Sequence, residues 1–422
     1  NEDLNLDGTK MAVTLMIHLK DVNWDGIRET AEKELFGPAT VTDHVAWGFT
    51  TLHFDYTPVE EQTRLRGLNL AKVNDEYFIN ALQIFGVDGL DEQAKQAAIE
   101  KGKRETEHIL EFLRAEFPGF ENAKIASFPS ELYVRETRHI ISEYQLPMSD
   151  LWTNHVPEDY IAYGAYPVDI QATSIHDYGR IIASPKQYGI PFRSLIPKEI
   201  DGLLVVGRSS GYSSIAAGSV RVVPTGMAIA EAAGVAAQIA VERNLTFRDM
   251  MHDQDIIEDL RTILNAQGAF VPFIETDYPY QGEWFDEAVQ TLMDYGLAFG
   301  GYDNHLKVDE VVTKRALAEV LEGVAIRVDR KIKDQYGEQA TELYTTLKES
   351  EAGKEPLTRD EMVSYIAEVF NLESDIATWD DLIKLQMISE DAGQRITENR
   401  EILYQEMYVV GASLIKYIKA KN

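Results

Sequence analysis

The sequence predicts a mixed α/β chain that ends in an all-α region, and three observations support this fold class. Strand-like runs alternate with helical patterns over roughly the first 245 residues. Beyond them the sequence is helical, acidic and repetitive. The chain has 422 residues, of which 45% are hydrophobic, and this is enough for two or three domains with cores of their own.

Composition excludes several classes of function. The formal net charge of -30 argues against nucleic acid and against an anionic membrane surface, because both need clustered Lys and Arg. No cysteine is present, which rules out disulfides, thiolate metal sites and cysteine nucleophiles. Any redox chemistry must therefore come from a bound cofactor.

The hydropathy pattern predicts a chain without membrane insertion. No run of about 18 apolar residues occurs, so no transmembrane helix is expected. The first ten residues, NEDLNLDGTK, are polar and acidic rather than a signal peptide, which suits a processed or internal start. The absence of cysteine is typical of secreted proteins of Gram-positive type organisms.

The first predicted elements are strands followed by one long helix. Residues 11–20, MAVTLMIHLK, indicate a buried strand, and alternating or aromatic runs over 41–85 are typical of a sheet. Residues 91–117 have helical spacing, and Pro118 and Gly119 should end that helix.

A strand, a small-residue loop and a helix are predicted next. The segment 185–206 ends in LLVV, which indicates a short buried strand. A loop rich in Gly and Ser follows, and a long helix begins near Pro224, where proline is favoured in the first turn. The many small residues of this helix allow close packing on all sides, so we expect a core helix.

The turn between this strand and this helix has the composition of an anion-binding site. Gly207 follows LLVV, Gly218 and Ser219 lie in the loop, and Thr225 belongs to the first helical turn. Unpaired backbone N–H groups and the dipole at a helix start attract negative charge, and glycine permits close approach. A tightly packed turn without a ligand gives the same spacing, and the motif alone leaves both readings open.

Several blocks in consecutive order resemble the FAD-dependent oxidoreductase family of xanthan lyase type. They are NALQIFGVDG, PGFENA, ELYVRETRHIISEYQL, IAYGAYPVDIQ and IPFRSLIPKEIDGLLVVGRSSGYSSIAAGSVRVVPTGMAIAEAAGVAA. The resemblance runs from about residue 11 to about 243. It implies an α+β substrate domain and the second half of a dinucleotide-binding flavoprotein fold.

The same resemblance implies site residues. Those expected to line FAD are Gly207, Arg208, Gly218, Ser219, Arg221, Thr225, Gly226 and Met227. Those expected on the substrate and flavin face are Arg135, Glu136, Arg138 and His139, with Tyr166, Asp169, Pro191 and Arg193 as second choices. A helix start aimed at the pyrimidine edge of a flavin would stabilise its reduced form.

The sequence departs from this family in one motif. Such enzymes carry a GxGxxG fingerprint after their first strand, where the pyrophosphate binds, and these 422 residues contain none. We therefore expect the chain to start after the main cradle of the cofactor. A separate amino-terminal chain or fragment with GxGxxG would complete the fold; the alternative is a protein that has lost flavin binding.

Arg135, Arg138 and His139 are the candidate catalytic residues. Guanidinium groups suit bidentate binding of a substrate carboxylate, and the imidazole can move a proton near neutral pH. The alternative is an ion-paired strand or helix edge, with Glu136 and Glu143 as partners.

A calcium-loop spacing also occurs near the start of the chain. Asp21, Asn23, Asp25, Gly26, Glu29 and Glu32 fit the calcium-loop spacing DxNxDGx5E, and Asp3, Asn5, Asp7 and Gly8 repeat its first half. A strand rather than a helix precedes Asp21, and the resemblance to the flavoprotein family implies a plain strand-to-helix turn there, so the alternative is a polar turn with a coincidental match. Calcium is accordingly a second candidate ligand, and it would make the chain a calcium-stabilised surface assembly protein.

The last region resembles tandem S-layer homology repeats. Trp284, Gly296, Gly301 and the helix from Thr313 match a first repeat, TRDE at 358–361 marks a second, and Trp379, Leu382, Leu385 and Thr397 suggest a third. The resemblance implies a helical bundle that binds cell-wall polysaccharide through Arg359, with Arg315 as a shifted candidate. A bundle used only for packing or dimerisation is the alternative.

These features predict the domains and location. The boundaries are 1–184 for the substrate domain, 185–245 for the FAD-binding part, 246–269 for a linker and 270–422 for the repeats. We expect a surface-associated or secreted FAD oxidoreductase acting on a small or carbohydrate-like substrate, and the sequence leaves a homo-oligomer open. The alternative is a non-catalytic surface protein that keeps the flavoprotein fold.

Overall fold

The chain is mixed α/β with a helical carboxyl-terminal region. The computed structural model describes residues 10–372 and 378–421. Two compact units are present. Of the described residues, the sheet unit comprises 10–137 together with Gln171–Gly179, and the helical unit comprises Arg138–Ile170 and those from Arg180 onward.

The sheet unit is built on a six-stranded antiparallel sheet of order β2-β3-β5-β6-β1-β8, beside the pair β4-β7. Its strands are β1 (Ile17–Lys20), β2 (Ala39–Val41), β3 (Val45–Gly48), β4 (Thr63–Leu65), β5 (Asn69–Val73), β6 (Glu76–Ile79), β7 (Leu82–Ile84) and β8 (Lys124–Ser127). Its helices are α1 (Trp24–Glu32), α2 (Leu52–Asp55) and α3 (Glu92–Glu116).

Local sequence signals account for these elements. Ile17 and Leu19 are buried on one face of β1, and Ile17 pairs with Ile79 of β6, so the predicted strand is confirmed in its second half. The long helix is also confirmed: the side chain of Asp91 accepts hydrogen bonds from the first-turn N–H groups of α3. Gly119 follows the helix with φ +109°, a conformation that favours glycine.

A buried carboxylate on α3 holds the segment that follows α2. Glu105 is fully buried and accepts hydrogen bonds from the Tyr56 hydroxyl at 2.5 Å and from the backbone N–H groups of Val59 and Glu60. Burial, and then the bond to Glu105, raises the pKa of Tyr56. Three donors converge on one carboxylate, which fixes the loop against the helix.

The helical unit contains short antiparallel strand pairs and most of the helices. Its strands are β9 (Tyr160–Gly164), β10 (Asp169–Ile170), β11 (Arg180–Ile181) and β12 (Tyr188–Pro191), paired as β9-β12 and β10-β11. Its helices are α4 (Met148–Trp152), α5 (Ala217–Val220), α6 (Val223–Arg243), α7 (Phe247–Met251), α8 (Gln254–Gln267), α9 (Asp286–Asp294), α10 (Lys314–Arg327), α11 (Arg330–Glu349), α12 (Arg359–Val369), α13 (Trp379–Lys384), α14 (Glu390–Arg395) and α15 (Tyr404–Lys421). Single 3-10 turns occupy Phe192–Leu195, Gly207–Ser209 and Ala352–Lys354.

Helix α6 is confirmed, but one of its faces is not covered by the chain. Ile229 and Ala236 are buried, whereas Val223, Met227 and Val241 are 70%, 68% and 83% exposed. Within the described residues α6 is the one helix long and apolar enough to cross a membrane, a weak criterion that core helices also meet. The expectation of a helix packed on all sides is therefore wrong, because its apolar residues extend around more of the helix than this chain covers.

The strand predicted at LLVV is wrong. No described residue forms a strand ladder with 203–206; Val205 donates one backbone hydrogen bond to Leu195. Leu203 and Val206 are 43% and 38% exposed. An apolar run becomes a buried strand only when neighbouring strands pair with it, and the described chain provides none here.

The segment 246–269, interpreted from sequence as a linker, is largely helical. Thr246 and Asp249 form a reciprocal capping box at the start of α7, and Asp253 caps α8. Gly268 ends α8 in the left-handed conformation. The change of composition at this position predicted a linker, but the capping residues here start two helices instead.

Three equivalent helix starts form a closed backbone junction in the carboxyl-terminal region. Val312 N–H donates to Ile402, Ile402 N–H to Leu357 and Leu357 N–H to Val312, all at 2.8–2.9 Å. These three residues are separated by 45 positions each time and are fully buried. The sequence repeat is thus expressed as a ring in which each repeat supplies a hydrogen bond to another.

Replacing Glu105 by alanine should destabilise the protein strongly. The substitution leaves three donors without their acceptor, which we expect to cost about 3 kcal/mol of unfolding free energy. Glu100 on the same helix is an exposed partner of Lys103 and serves as the control, where alanine should have little effect. Equal denaturation midpoints for the two variants would contradict the assigned role of Glu105.

Candidate functional site

The predicted glycine turn lies beside the amino end of α6. Gly207 has φ +77°, and a Cβ placed on it would have no neighbour within 4 Å. A Cβ on Gly226 would meet only the Cα of Gly207, at 3.9 Å. Two glycines therefore face each other across an open surface that is lined by backbone.

The helix start at this surface can receive an electron-rich group. The residue before α6, Val222, provides no side-chain cap, and Pro224 in the first turn has no N–H. The remaining first-turn N–H groups and the helix dipole favour negative charge. Open glycine backbone at an uncapped helix start fits the edge of a planar cofactor, so these residues are compatible with FAD.

The other predicted FAD residues divide into an exposed and a buried group. Arg208 and Met227 are exposed near the turn. Four residues are buried: Gly218, Ser219, Arg221 and Thr225. The Ser219 hydroxyl donates to the Tyr166 carbonyl, and Arg221 donates to Asp169 at 3.3–3.4 Å. These hydrogen bonds join Ser219 and Arg221 to residues 166–169, and contact of the buried group with FAD stays a prediction.

His139 lies against the glycine turn. Its Nδ1 is 3.1 Å from the carbonyl oxygen of Ser210, and the N–H of Ile140 donates to Ser209. Because a carbonyl can only accept, this contact places the ring proton on Nδ1. The structure thus brings one predicted catalytic residue and the start of the predicted cofactor site together.

The two arginines have different environments. Arg135 belongs to the sheet unit and is buried; it donates to the Ala12 carbonyl at 2.6 Å and to the Thr14 hydroxyl at 3.1 Å. Its guanidinium also lies 4.6 Å from the ring centre of Tyr133. Arg138 is exposed in the helical unit. Arg135 thus binds its own chain, and a substrate role for either arginine stays a prediction.

Arg193 and Pro191, two of the second choices for the substrate and flavin face, make structural contacts within the chain. Arg193 makes a bidentate ion pair with the buried carboxylate of Asp159 at 2.9 and 3.0 Å. Pro191 is buried at the end of β12. The bond to Asp159 comes first among the causes that raise the pKa of Arg193.

The calcium prediction is not supported. The side chain of Asn23 caps α1, Asp21 pairs with Lys124 at 2.9 Å, and Asp25 and Glu32 are exposed. In residues 10–372 and 378–421 no group of three or more His, Asp or Glu side chains could hold a metal ion. The residues at 3–8 that repeat the motif lie outside the described residues. The role of Asn23 as the amino-terminal cap of α1 accounts for the calcium-like spacing of residues 21–32.

The three-fold junction places Lys314 at the position equivalent to Arg359. Lys314 and Arg359 occupy equivalent first positions of α10 and α12, whereas Arg315 is one residue further and exposed. Lys314 pairs with Glu355 and Glu361 at 2.7 and 2.9 Å. The 45-residue spacing of the junction relates Lys314 to Arg359, and a polysaccharide-binding role for Arg359 or Arg315 stays a prediction.

Arg359 has an acidic and an aromatic neighbour. It contacts Asp360 at 3.1 Å, and its guanidinium lies 6.0 Å from the ring centre of Trp379. The third equivalent position is Tyr404, which carries no charge at neutral pH. Leu403, rather than Thr397, corresponds to Thr358, since the N–H of each is bound by the glutamate three residues later.

Comparison with known proteins agrees with the geometry around α6. The family model for FAD dependent oxidoreductases matches residues 3–264, more than half of the chain. Neither a curated protein nor a solved structure matches the sequence. The extent of the family match and the open glycine turn within it lead to one conclusion: the chain belongs to the FAD-dependent oxidoreductase family.

Proposed function

We propose that this chain is part of an FAD-dependent oxidoreductase of the xanthan lyase type that acts on a small or carbohydrate-like substrate. The observation that carries the proposal is the open, uncapped start of α6, where Gly207 and Gly226 leave the backbone accessible. FAD bound there would supply the hydride or electron transfer.

The residues of the chain would act by positioning and by charge. The α6 start would stabilise negative charge at the pyrimidine edge of the flavin through backbone N–H groups and the helix dipole. His139, oriented by Ser210, would hold or move a proton at Nε2. The ion pair of buried Arg221 with half-buried Asp169 would hold the segment just before α6.

We also propose that a segment bearing GxGxxG, outside these 422 residues, completes the dinucleotide-binding fold. The exposed apolar residues of 203–206 and of α6 support this, since Leu203 and Val206 are 43% and 38% exposed and Val223 and Met227 are 70% and 68% exposed. A parallel sheet would pair with 203–206 and bury the adjacent face of α6.

Purification of the protein from its native cells should recover a GxGxxG polypeptide and bound flavin together. Mass spectrometry under native and denaturing conditions would identify the polypeptide, and visible absorbance would detect the flavin. A GxGxxG polypeptide recovered without flavin would favour a non-catalytic surface protein that keeps the fold. Flavin recovered without such a polypeptide would contradict a cofactor site that this chain and a GxGxxG polypeptide form together.

Replacing Gly226 by leucine should weaken FAD binding by about tenfold or more. The side chain would project into the surface that Gly207 faces and block approach to the helix start. Gly234→Leu is the matched control, because Gly234 lies on the same helix and a Cβ placed on it would have no neighbour within 4 Å. Fluorescence titration of native protein with FAD measures both; equal affinities would contradict the proposed site.

The carboxyl-terminal helices are proposed to attach the protein to the cell wall. The support is the three-fold junction with cations at two of its three equivalent helix starts, Lys314 and Arg359. Such helical repeats would bind an anionic polysaccharide through Arg359, with Arg315 and Lys314 nearby. The protein would then be extracellular or surface-associated.

Arg359→Gln should reduce cosedimentation with purified secondary cell-wall polysaccharide by about tenfold in affinity, because a charge-assisted contact is lost. Lys384→Gln is the control, since Lys384 is an exposed cation on α13 that pairs with Asp381. Unchanged binding of Arg359→Gln, or equal loss in both variants, would contradict a specific site. A packing or dimerisation role would then remain for these helices.

A further inference from the structure

The sheet unit contains two arginines that are not neutralised by a carboxylate. Arg64 on β4 is buried, with 6% of its surface exposed, and Arg66 follows the strand and is half-buried. Neither takes part in an ion pair within 4.0 Å in the part of the chain that the structure describes. Burying a cation without a paired counter-charge costs free energy. The lack of an ion pair at Arg64 and Arg66 therefore needs a physical explanation.

Amide side chains hold the two guanidinium groups in place. Gln83, directly opposite Arg64 in the β4-β7 ladder, accepts from its Nε at 3.0 Å and from its Nη2 at 2.8 Å. Gln171 accepts from Arg66 at 3.2 Å and from the amide of Gln83 at 3.1 Å. The amides satisfy hydrogen bonds and leave the positive charge of both arginines in place.

The guanidinium of Arg64 is also restricted in orientation. Its central carbon lies 5.0 Å from the ring centre of Phe85 and 5.1 Å from that of Tyr178. Besides Gln83, its acceptor in the described chain is the Ile175 carbonyl at 3.4 Å, so two of the five N–H groups remain for a ligand. Tyr178 is 53% exposed, which opens this side of the cluster to solvent.

Two further groups border the cluster. The His53 ring centre lies 4.8 Å from that of Tyr178, and burial, followed by the charges of Arg64 and Arg66, lowers the pKa of His53. Asp177 attracts Arg64, and its carboxylate accepts hydrogen bonds from Thr173 and from the N–H of Gly179 at 2.8 Å. Two guanidinium groups thus outnumber the one carboxylate that acts on Arg64, and the local balance of charge is positive.

We propose that Arg64, Arg66 and His53 form a binding site for the carboxylate group of a small organic acid. A planar guanidinium offers N–H groups that match the two oxygens of a carboxylate, and the aromatic contacts hold that plane. The His53 ring, which hydrogen-bonds to the Leu65 backbone, borders this position and attracts a bound carboxylate when it is protonated. The site is a property of the sheet unit and does not depend on the flavin proposal.

Calorimetric titration of the full chain with malonate tests the site, with inorganic phosphate as the tetrahedral anion. We expect saturable malonate binding that weakens about tenfold or more in Arg66→Gln. Arg104→Gln should bind like the wild type, because Arg104 is a cation of the same unit already paired with Glu60 at 2.6 Å. Arg66 is half-buried and its backbone bond to Ala81 is kept, so this variant should fold.

Proton resonances of His53, assigned with His53→Gln, provide a second measurement. Malonate should raise the pKa of His53, since added negative charge favours the protonated ring, and Arg66→Gln should raise it without ligand. Absence of saturable malonate binding to folded protein, equal affinity in Arg66→Gln, or phosphate binding as tight as malonate would each overturn the proposal. These outcomes are independent of whether the protein holds flavin.

Discussion

The amino end of α6 is the constraint on which the candidate cofactor site depends. A helix start presents backbone N–H groups that need an acceptor, and this one has no side-chain cap. Gly207 and Gly226 keep the approach clear, and the Ser219 hydroxyl ties the preceding helix to the Tyr166 carbonyl. His139 reaches the same turn through Ser210. The site therefore consists mainly of backbone held in position by buried side chains.

In the carboxyl-terminal region, backbone N–H groups near the helix starts find their acceptors in backbone carbonyls of the other repeats. Val312, Leu357 and Ile402 close a ring of hydrogen bonds, and the N–H groups of Lys314, Arg359 and Tyr404 donate to positions that are again 45 residues apart. Because each repeat supplies acceptors to another, the ring needs all three repeats. Any ligand recognition there must come from side chains rather than from open helix ends.

Sequence predicted those elements whose signals are local. The cap at Asp91, the proline near the start of α6 and the buried positions of β1 each act within a few residues, and the corresponding elements are present. Two predictions of a different kind failed. The run at 203–206 required strand partners from elsewhere in sequence, and the calcium spacing at 21–32 was produced by the cap of α1. Side-chain environments such as that of Arg135 depend on tertiary packing and cannot be read from spacing.

The arginine cluster of the sheet unit has to be weighed against the acidity of the chain. With 70 acidic and 40 basic residues, a carboxylate partner for Arg64 was readily available, yet Gln83 occupies that position. Surface carboxylates more than about 10 Å away are screened by salt, whereas Arg64 and Arg66 act on each other at short range in a poorly solvated setting. An amide orients the cation without cancelling its field. A net charge of -30 is therefore compatible with an anion site, provided that the cations are buried and held by neutral groups.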